Sequence, residues 1–99
     1  MVILFNDEDL ENLFTNPSGK QQFPKQVIKS YQEKIKLMQF AKDLNELSRF
    51  RSLNLEKLSS KKYKGCYSVR VNDQYRLIFK VLKNGNWQIL IIELSKHYE

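Results

Sequence analysis

The chain has 99 residues, of which 41% are hydrophobic and 12% aromatic, with three Gly and two Pro, a composition typical of one ordered domain spanning residues 1–99. Its longest apolar runs, Val2–Phe5 and Ile89–Ile92, are far shorter than the ~20 residues that cross a bilayer, and the acidic N-terminal dozen has the wrong charge for a secretory leader. Since a single cysteine, Cys66, excludes an internal disulfide, we expect a cytoplasmic protein without membrane association.

Charge is distributed unevenly along the chain. The formal net charge is +6, from 17 basic and 11 acidic residues. Residues 57–83 hold eight bases and one acid, Asp73. This local excess indicates a partner that carries phosphates. The alternative is a lysine-rich face that is simply solvated.

The first half of the chain has helical periodicity. After the first apolar run, which we predict to be a short strand, Asn6 or Asp7 caps a first helix, and Pro24 suits the start of a longer one. Asp43 followed by Glu46 resembles a capping box, which predicts a short third helix. The predicted buried stripe of the long helix consists of Ile28, Tyr31, Ile35, Met38 and Ala41.

After residue 54 the apolar period changes from about 3.6 to 2. Alternation over Tyr67–Val71 and Tyr75–Val81 predicts two strands, and Asn84–Gly85 predicts a two-residue hairpin turn. The apolar segment Trp87–Leu94 is then a strand with neighbours on both sides. The fold class is therefore α+β, in the order β-α-α-β-β-β, with an antiparallel sheet packed on N-terminal helices.

Side-chain parity fixes the register of the first hairpin. A three-residue loop, Asn72–Gln74, pairs Val71 with Tyr75 and keeps the large apolar residues of the flanking strands on one face, whereas a two-residue loop mixes the faces. The same register places Arg70 directly opposite Arg76 on the polar face, which is unfavourable unless an anion lies between them. This pair is a candidate phosphate site, with water between two exposed arginines as the alternative. We also expect Arg76 to be an exposed, unpaired charge.

The chemistry open to this chain follows from its residue types. One His, one Cys and scattered acids provide no metal-ligand cluster, and the three glycines are isolated, so we expect neither a metal nor another cofactor. RNA can be cut without metal, because its 2′-hydroxyl attacks the neighbouring phosphate. Such a reaction needs a base, an acid and cations for the developing charge. The chain offers these groups in Glu56, His97, Arg70, Arg76 and a lysine-rich loop, although composition does not fix their relative positions.

Three segments resemble the HigB toxins, a branch of the RelE/ParE superfamily. The most specific is Tyr67–Phe79, with the sequence YSVRVNDQYRLIF. Upstream, Leu55–Leu58 followed by Gly65 is similar to the family's segment before this hairpin. The ending Lys96–Tyr98 resembles those of HigB and of the related YoeB toxins. Together with the element order, the resemblance covers essentially the whole chain.

This resemblance implies a toxin of a type II toxin–antitoxin system with a RelE-like fold. Such a toxin is a small ribonuclease that enters the ribosomal decoding site and cuts mRNA during translation. The implied partner is a helix-turn-helix, HigA-like antitoxin that forms a heterotetramer with the toxin, so that operator DNA is contacted only through the antitoxin. Two alternatives stay open: a ParE-like inhibitor of DNA gyrase, and a non-catalytic RNA-binding module.

The resemblance also implies roles for individual residues. Arg76 corresponds to the superfamily arginine that contacts the scissile phosphate, and Arg70 to a strand position that is often basic. Glu56 and His97 correspond to the groups that share the proton transfers, and Tyr98 to an aromatic that orders or stacks the substrate. Three loop lysines are expected to bind ribosomal RNA electrostatically rather than to take part in the chemistry: Lys61, Lys62 and Lys64.

Overall fold

A computed structural model describes residues 1–18 and 22–96, which form a layer of helices on one face of a five-stranded sheet. The elements in chain order are β1 (Val2–Phe5), α1 (Glu8–Thr15), α2 (Lys25–Phe40), α3 (Leu44–Ser48), a 3-10 helix (Arg51–Leu53), β2 (Glu56–Lys57), β3 (Tyr67–Arg70), β4 (Tyr75–Asn84) and β5 (Asn86–Lys96). The predicted α+β class is confirmed, with the addition of the 3-10 helix and the two-residue strand β2.

Two aspartates begin helices as predicted. The Asp7 carboxylate accepts a hydrogen bond from the Leu10 amide at 2.9 Å at the start of α1. Asp43 accepts from the Glu46 amide at 2.8 Å at the start of α3, and the Glu46 carboxylate accepts from the Lys42 amide at 2.9 Å. These bonds satisfy amides that have no partner within the helix.

The core lies between α2 and the sheet. The predicted stripe of α2 is confirmed except at its first position, where Val27 is buried and Ile28 only partly so. Tyr31 is fully buried, and its hydroxyl donates to the Leu10 carbonyl at 2.8 Å. Burial raises the pKa of the Tyr31 phenol, because the apolar surroundings disfavour the phenolate. The core therefore fixes α1 and α2 as a platform behind the sheet.

The strand order is β1-β5-β4-β3-β2. β5 lies between β1 and β4, in agreement with the prediction that the most apolar strand has two neighbours. β1 is parallel to β5, with Val2 beside Gln88, whereas the other neighbours are antiparallel as predicted. The sheet is therefore mixed rather than wholly antiparallel. At the far edge, Glu56 of β2 pairs with Ser68 of β3.

The hairpin between β4 and β5 turns at Gly85, whose φ is +83°, in the left-handed region that glycine favours. Asn84 pairs with Asn86 around this glycine, and Lys83 therefore lies opposite Trp87. A two-residue loop would place Lys83 opposite Asn86. The predicted hairpin exists, but its predicted two-residue register is wrong by one position.

The loop between β2 and β3 lies on the sheet face that is turned away from the helices. Cys66, Ser68 and Ile78 are buried but lie outside the main core. The Tyr63 hydroxyl donates to the Glu93 carboxylate at 2.7 Å, and Glu93 is paired with Ile78 across β4 and β5. This bond ties the loop down on the second face, which also carries Arg76.

Candidate functional site

Arg76 lies near the start of β4, on the face opposite the helices. Its Nε donates to the Ser68 Oγ at 2.9 Å, and its Nη2 donates to the Asn54 carbonyl at 2.9 Å. Nη2 also lies 3.0 Å from a carboxylate oxygen of Glu56. Only 17% of the Arg76 side chain is exposed. The expectation of an exposed, unpaired charge is therefore wrong, because three acceptors from other segments converge on the guanidinium.

Two of these acceptors come from the stretch that leads from the end of the 3-10 helix into β2. Asn54 ends the 3-10 helix with φ +46° and ψ +56°, and it is the one non-glycine residue with positive φ in the part of the chain that the structure describes. Asparagine tolerates this left-handed conformation better than most residues. The turn redirects the chain so that Glu56 pairs with Ser68 at the sheet edge. One turn thus brings an acid and a carbonyl to the same arginine.

Glu56 and Arg76, two of the predicted site residues, form an ion pair. The Glu56 side chain is 62% exposed, so its carboxylate is open to solvent while it contacts the guanidinium. An ion pair this exposed contributes little to folding, about 0–1 kcal/mol. The structure therefore brings two of the predicted site residues together without a large gain in stability from the contact.

Arg70 lies directly opposite Arg76, which confirms the predicted register of the β3–β4 hairpin. Its guanidinium forms an ion pair with Asp73 in the intervening loop. Each arginine thus has a carboxylate of its own, Asp73 for Arg70 and Glu56 for Arg76. These neighbouring acids offset the like-charge contact, so the pairing of the two arginines does not by itself call for an external anion, and the phosphate site stays a prediction. An incoming phosphate has to compete with these acids.

The loop lysines Lys61, Lys62 and Lys64 are all exposed, in the loop that crosses the same face of the sheet. The Lys62 ammonium lies 5.2 Å from the centroid of the Tyr63 ring. The hydrogen bond to Glu93 raises the pKa of the Tyr63 phenol, because it favours the protonated form. The loop is thus anchored through Tyr63, and the loop lysines project from an anchored segment.

The predicted residues His97 and Tyr98 lie outside the described residues. β5 approaches the site just before them, since Ser95 lies directly opposite Arg76. The sequence did not predict Ser68, Asn54 or Asp73 as neighbours of the arginines. A signal for Ser68 exists in the alternation of β3, where a small hydroxyl residue occupies a position beside the arginine pair.

A concave region of the surface lies apart from the predicted site residues that the structure describes. A cavity of about 700 Å³ is lined by α1, the segment before α2 and β5, and it contains the acids Asp7, Asp9 and Glu93 but none of the predicted site residues. Within residues 1–18 and 22–96, no cluster of three or more His, Cys, Asp or Glu side chains is suited to hold a metal ion. Over the same residues, no helix combines the length and apolar character needed to span a bilayer.

Comparison with solved structures finds the same fold in bacterial toxins. A YoeB/ParE toxin from Agrobacterium tumefaciens is 18% identical with a TM-score of 0.56, over 99% of this chain and 100% of that chain. The YoeB–YefM complex from Staphylococcus aureus is 28% identical with a TM-score of 0.53, over 99% of this chain and 98% of that chain. The YoeB dimer from the same organism is 28% identical with a TM-score of 0.54 and has the same coverage.

Comparison with curated proteins finds no match to this sequence. Comparison with protein families matches residues 3–97, nearly the whole chain, to the RelE-like toxin of type II toxin-antitoxin system HigB. The chain therefore belongs to the HigB-like family of RelE-like toxins of type II toxin–antitoxin systems.

Proposed function

We propose that this toxin is a ribosome-dependent endoribonuclease that cuts mRNA in the cytoplasm without a metal ion and thereby inhibits translation and growth. The observation that carries the proposal is the guanidinium of Arg76, held on a strand by two hydrogen bonds with the Glu56 carboxylate 3.0 Å away. A fixed cation beside an accessible carboxylate suits the cleavage of a phosphodiester that carries its own nucleophile.

The proposed reaction is an internal transesterification. Glu56 accepts the proton of the 2′-hydroxyl, the 2′-oxygen forms a bond to phosphorus, and the bond from phosphorus to the 5′-oxygen breaks. His97 donates a proton to the departing 5′-oxygen, so the products are a 2′,3′-cyclic phosphate and a 5′-hydroxyl end. Arg76 stabilises the charge that develops on the phosphate oxygens in the transition state. The alternative assignment exchanges these two roles, with His97 as the base and Glu56 as the acid.

The contact between Glu56 and Arg76 gives this reaction an order of events. A phosphate that approaches Nη2 of Arg76 competes with the exposed Glu56 carboxylate for the same donor. Charge-assisted bonds from arginine to phosphate are strong, whereas the exposed ion pair is weak. Substrate binding therefore releases Glu56 from Arg76 at the moment when a base is needed beside the phosphate.

The remaining site residues are proposed to bind RNA. Arg70, 44% exposed and paired with Asp73 in the free protein, contacts a neighbouring phosphate. Tyr98 stacks on or orders the substrate, since single-stranded RNA is commonly held on aromatic side chains. The loop lysines contact ribosomal RNA, because exposed cations on an anchored loop supply affinity that does not depend on sequence.

The proposed partner for neutralisation is a HigA-like antitoxin of the helix-turn-helix class. In the relative from Staphylococcus aureus, YoeB and YefM form a heterotetrameric complex. We propose a heterotetramer here too, in which the antitoxin alone contacts operator DNA.

The test is translation in vitro followed by primer extension on the mRNA. The toxin is expected to produce cuts only while ribosomes translate, and Arg76→Ala is expected to abolish them. Lys80→Ala is the matched control, because Lys80 is an exposed cation on the same strand. Intact mRNA together with inhibition of gyrase supercoiling would assign the ParE-like function instead, and the absence of both effects would leave the RNA-binding module.

A further inference from the structure

Ser68 is almost completely buried, with 1% of the residue exposed. A buried hydroxyl requires a hydrogen-bond partner to offset its loss of hydration. That partner is the Nε of Arg76 at 2.9 Å. Ser68 lies on β3 opposite Ile78, so it reaches the arginine diagonally across the strand pair.

Asn54 supplies the second acceptor, through its backbone. Its carbonyl accepts from Nη2 of Arg76 at 2.9 Å while its own amide donates to the Arg51 carbonyl at 3.1 Å. The preceding residue, Leu53, is fully buried, which fixes the turn in the core. A left-handed backbone at a residue other than glycine costs free energy and persists where surrounding structure enforces it. The Asn54 carbonyl is therefore held in one position by the surrounding structure and is a rigid hydrogen-bond acceptor.

Together these acceptors hold two nitrogens of one planar group. Nε and Nη2 are occupied, and Nη1 has no hydrogen-bond partner within residues 1–18 and 22–96. A planar guanidinium bonded at two nitrogens has its orientation fixed, since rotation about either terminal bond breaks one contact. The group is thus aimed before any substrate arrives, which is the arrangement that transition-state stabilisation requires.

We propose that Ser68 and the Asn54 carbonyl are positioning groups that orient Arg76 for cleavage, an inference that rests on the proposed nuclease function. Loss of either group leaves the charge of Arg76 in place but frees its orientation. The expected effect falls on the chemical step: a decrease of roughly 10- to 100-fold in the single-turnover cleavage rate, the scale of a misplaced catalytic group. Binding to the ribosome is expected to be unchanged.

The first test compares Ser68→Ala and Ser68→Cys with Ser95→Ala. Cysteine fills nearly the same volume and preserves packing, but its sulfur is a weak acceptor. Ser95 is the matched control. It lies directly opposite Arg76 in β5, but the acceptors of the guanidinium that the structure describes are Ser68, Asn54 and Glu56. We expect both Ser68 variants to lower the rate and Ser95→Ala to retain it. Full cleavage by Ser68→Ala would overturn the proposal.

A double-mutant cycle separates positioning from general damage to the fold. In the Arg76→Lys background, which lacks the Nε donor but retains measurable cleavage, Ser68→Ala is expected to cause no further loss, because its effect acts through the Nε contact. Additive losses would overturn the proposal.

At Asn54, glycine keeps the left-handed backbone and the carbonyl, whereas valine disfavours that conformation. We expect Asn54→Gly to cleave within a few-fold of wild type and Asn54→Val to be slower, and equal rates in both would contradict the role of the carbonyl.

A measurement that needs no enzymatic activity distinguishes failure of this inference from failure of the proposed function. In NMR spectra the Nε–H of Arg76 is expected to exchange slowly with solvent, to lose this protection in Ser68→Ala and Ser68→Cys, and to keep it in Ser95→Ala. Unchanged protection in the Ser68 variants would overturn the positioning contact itself. A wild-type toxin with the protected signal but no mRNA cleavage would instead refute the nuclease function and, with it, the catalytic role of the contact.

Discussion

Replacement of Arg76 by alanine tests whether the contacts around this residue hold in solution. The sequence alone predicts that Arg76 is an exposed charge, and that its loss changes the free energy of unfolding by less than about 1 kcal/mol. In the structure its side chain is 17% exposed and donates to the Ser68 hydroxyl and the Asn54 carbonyl. We therefore expect Arg76→Ala to destabilise the protein as well as to inactivate it.

The magnitude follows from three contributions. The buried Ser68 hydroxyl loses its donor, which costs about 1–3 kcal/mol. Loss of the partly buried methylenes of Arg76 adds up to about 0.8 kcal/mol for each group that was fully covered. Relief of the like-charge contact with Arg70 returns up to about 1 kcal/mol. The net expectation is a loss of about 2–3 kcal/mol, which in a domain of this size lowers the melting temperature by about 10–20 °C.

Thermal melting of Arg76→Ala, Arg76→Lys and the control Lys80→Ala measures this effect. Arg76→Lys keeps the charge and most of the stem but loses the Nε donor, so an intermediate loss of about 1–2 kcal/mol is expected, with more residual mRNA cleavage than in the alanine variant. The control is expected to melt close to wild type. A melting temperature for Arg76→Ala within about 2 °C of wild type would refute the reasoning, because it would mean that the buried contacts contribute nothing.

The remaining predictions address the acid–base groups, the loop and one helix cap. Glu56→Gln and His97→Gln should each slow mRNA cleavage by roughly 10²–10⁴-fold with ribosome binding retained, and full cleavage by both would remove the assignment. Neutralisation of the three loop lysines should weaken ribosome binding and reduce its salt slope by about three units, whereas an unchanged slope would exclude them from the interface. Tyr63→Phe should speed hydrogen exchange of the loop amides while the free energy of unfolding falls by less than about 1 kcal/mol, and an unchanged exchange rate would argue against the anchor. Asp43→Ala should destabilise the fold by about 1 kcal/mol through loss of the α3 cap, as checked by urea unfolding against Glu33→Ala, which removes an exposed carboxylate from α2.

The parts of the fold that follow from the sequence are those with a local signal. Alternation and loop parity fixed the register of Arg70 opposite Arg76, because a shift by one residue would expose a whole apolar face. Asp7 and Asp43 cap helices through bonds that span only three residues. Such contacts depend on neighbouring positions along the chain and are visible in its pattern.

The surroundings of Arg76 have no such signal. Asn54 and Glu56 reach it from about 20 positions away in the chain, and β2 is only two residues long, too short to show alternation. The parallel pairing of β1 with β5 joins opposite ends of the domain. β5 also contains a β-bulge, because its register with β4 shifts between Ile78 and Phe79. A continuous apolar run gives no sign of such a shift. These features arise from tertiary packing. Individual site residues could therefore be predicted from the sequence, but the contacts that join them could not.

The order of strands has a consequence for how this toxin is made. β5 pairs with both β1 and β4 and contributes Ile89, Ile91 and Leu94 to the core, yet it is the last described strand to be synthesised. A nascent chain that has not reached β5 lacks the partner of its first strand and the neighbour that supports the strand carrying Arg76. Because these long-range pairings close only after β5 has been synthesised, the sheet that holds Arg76 is completed late in synthesis.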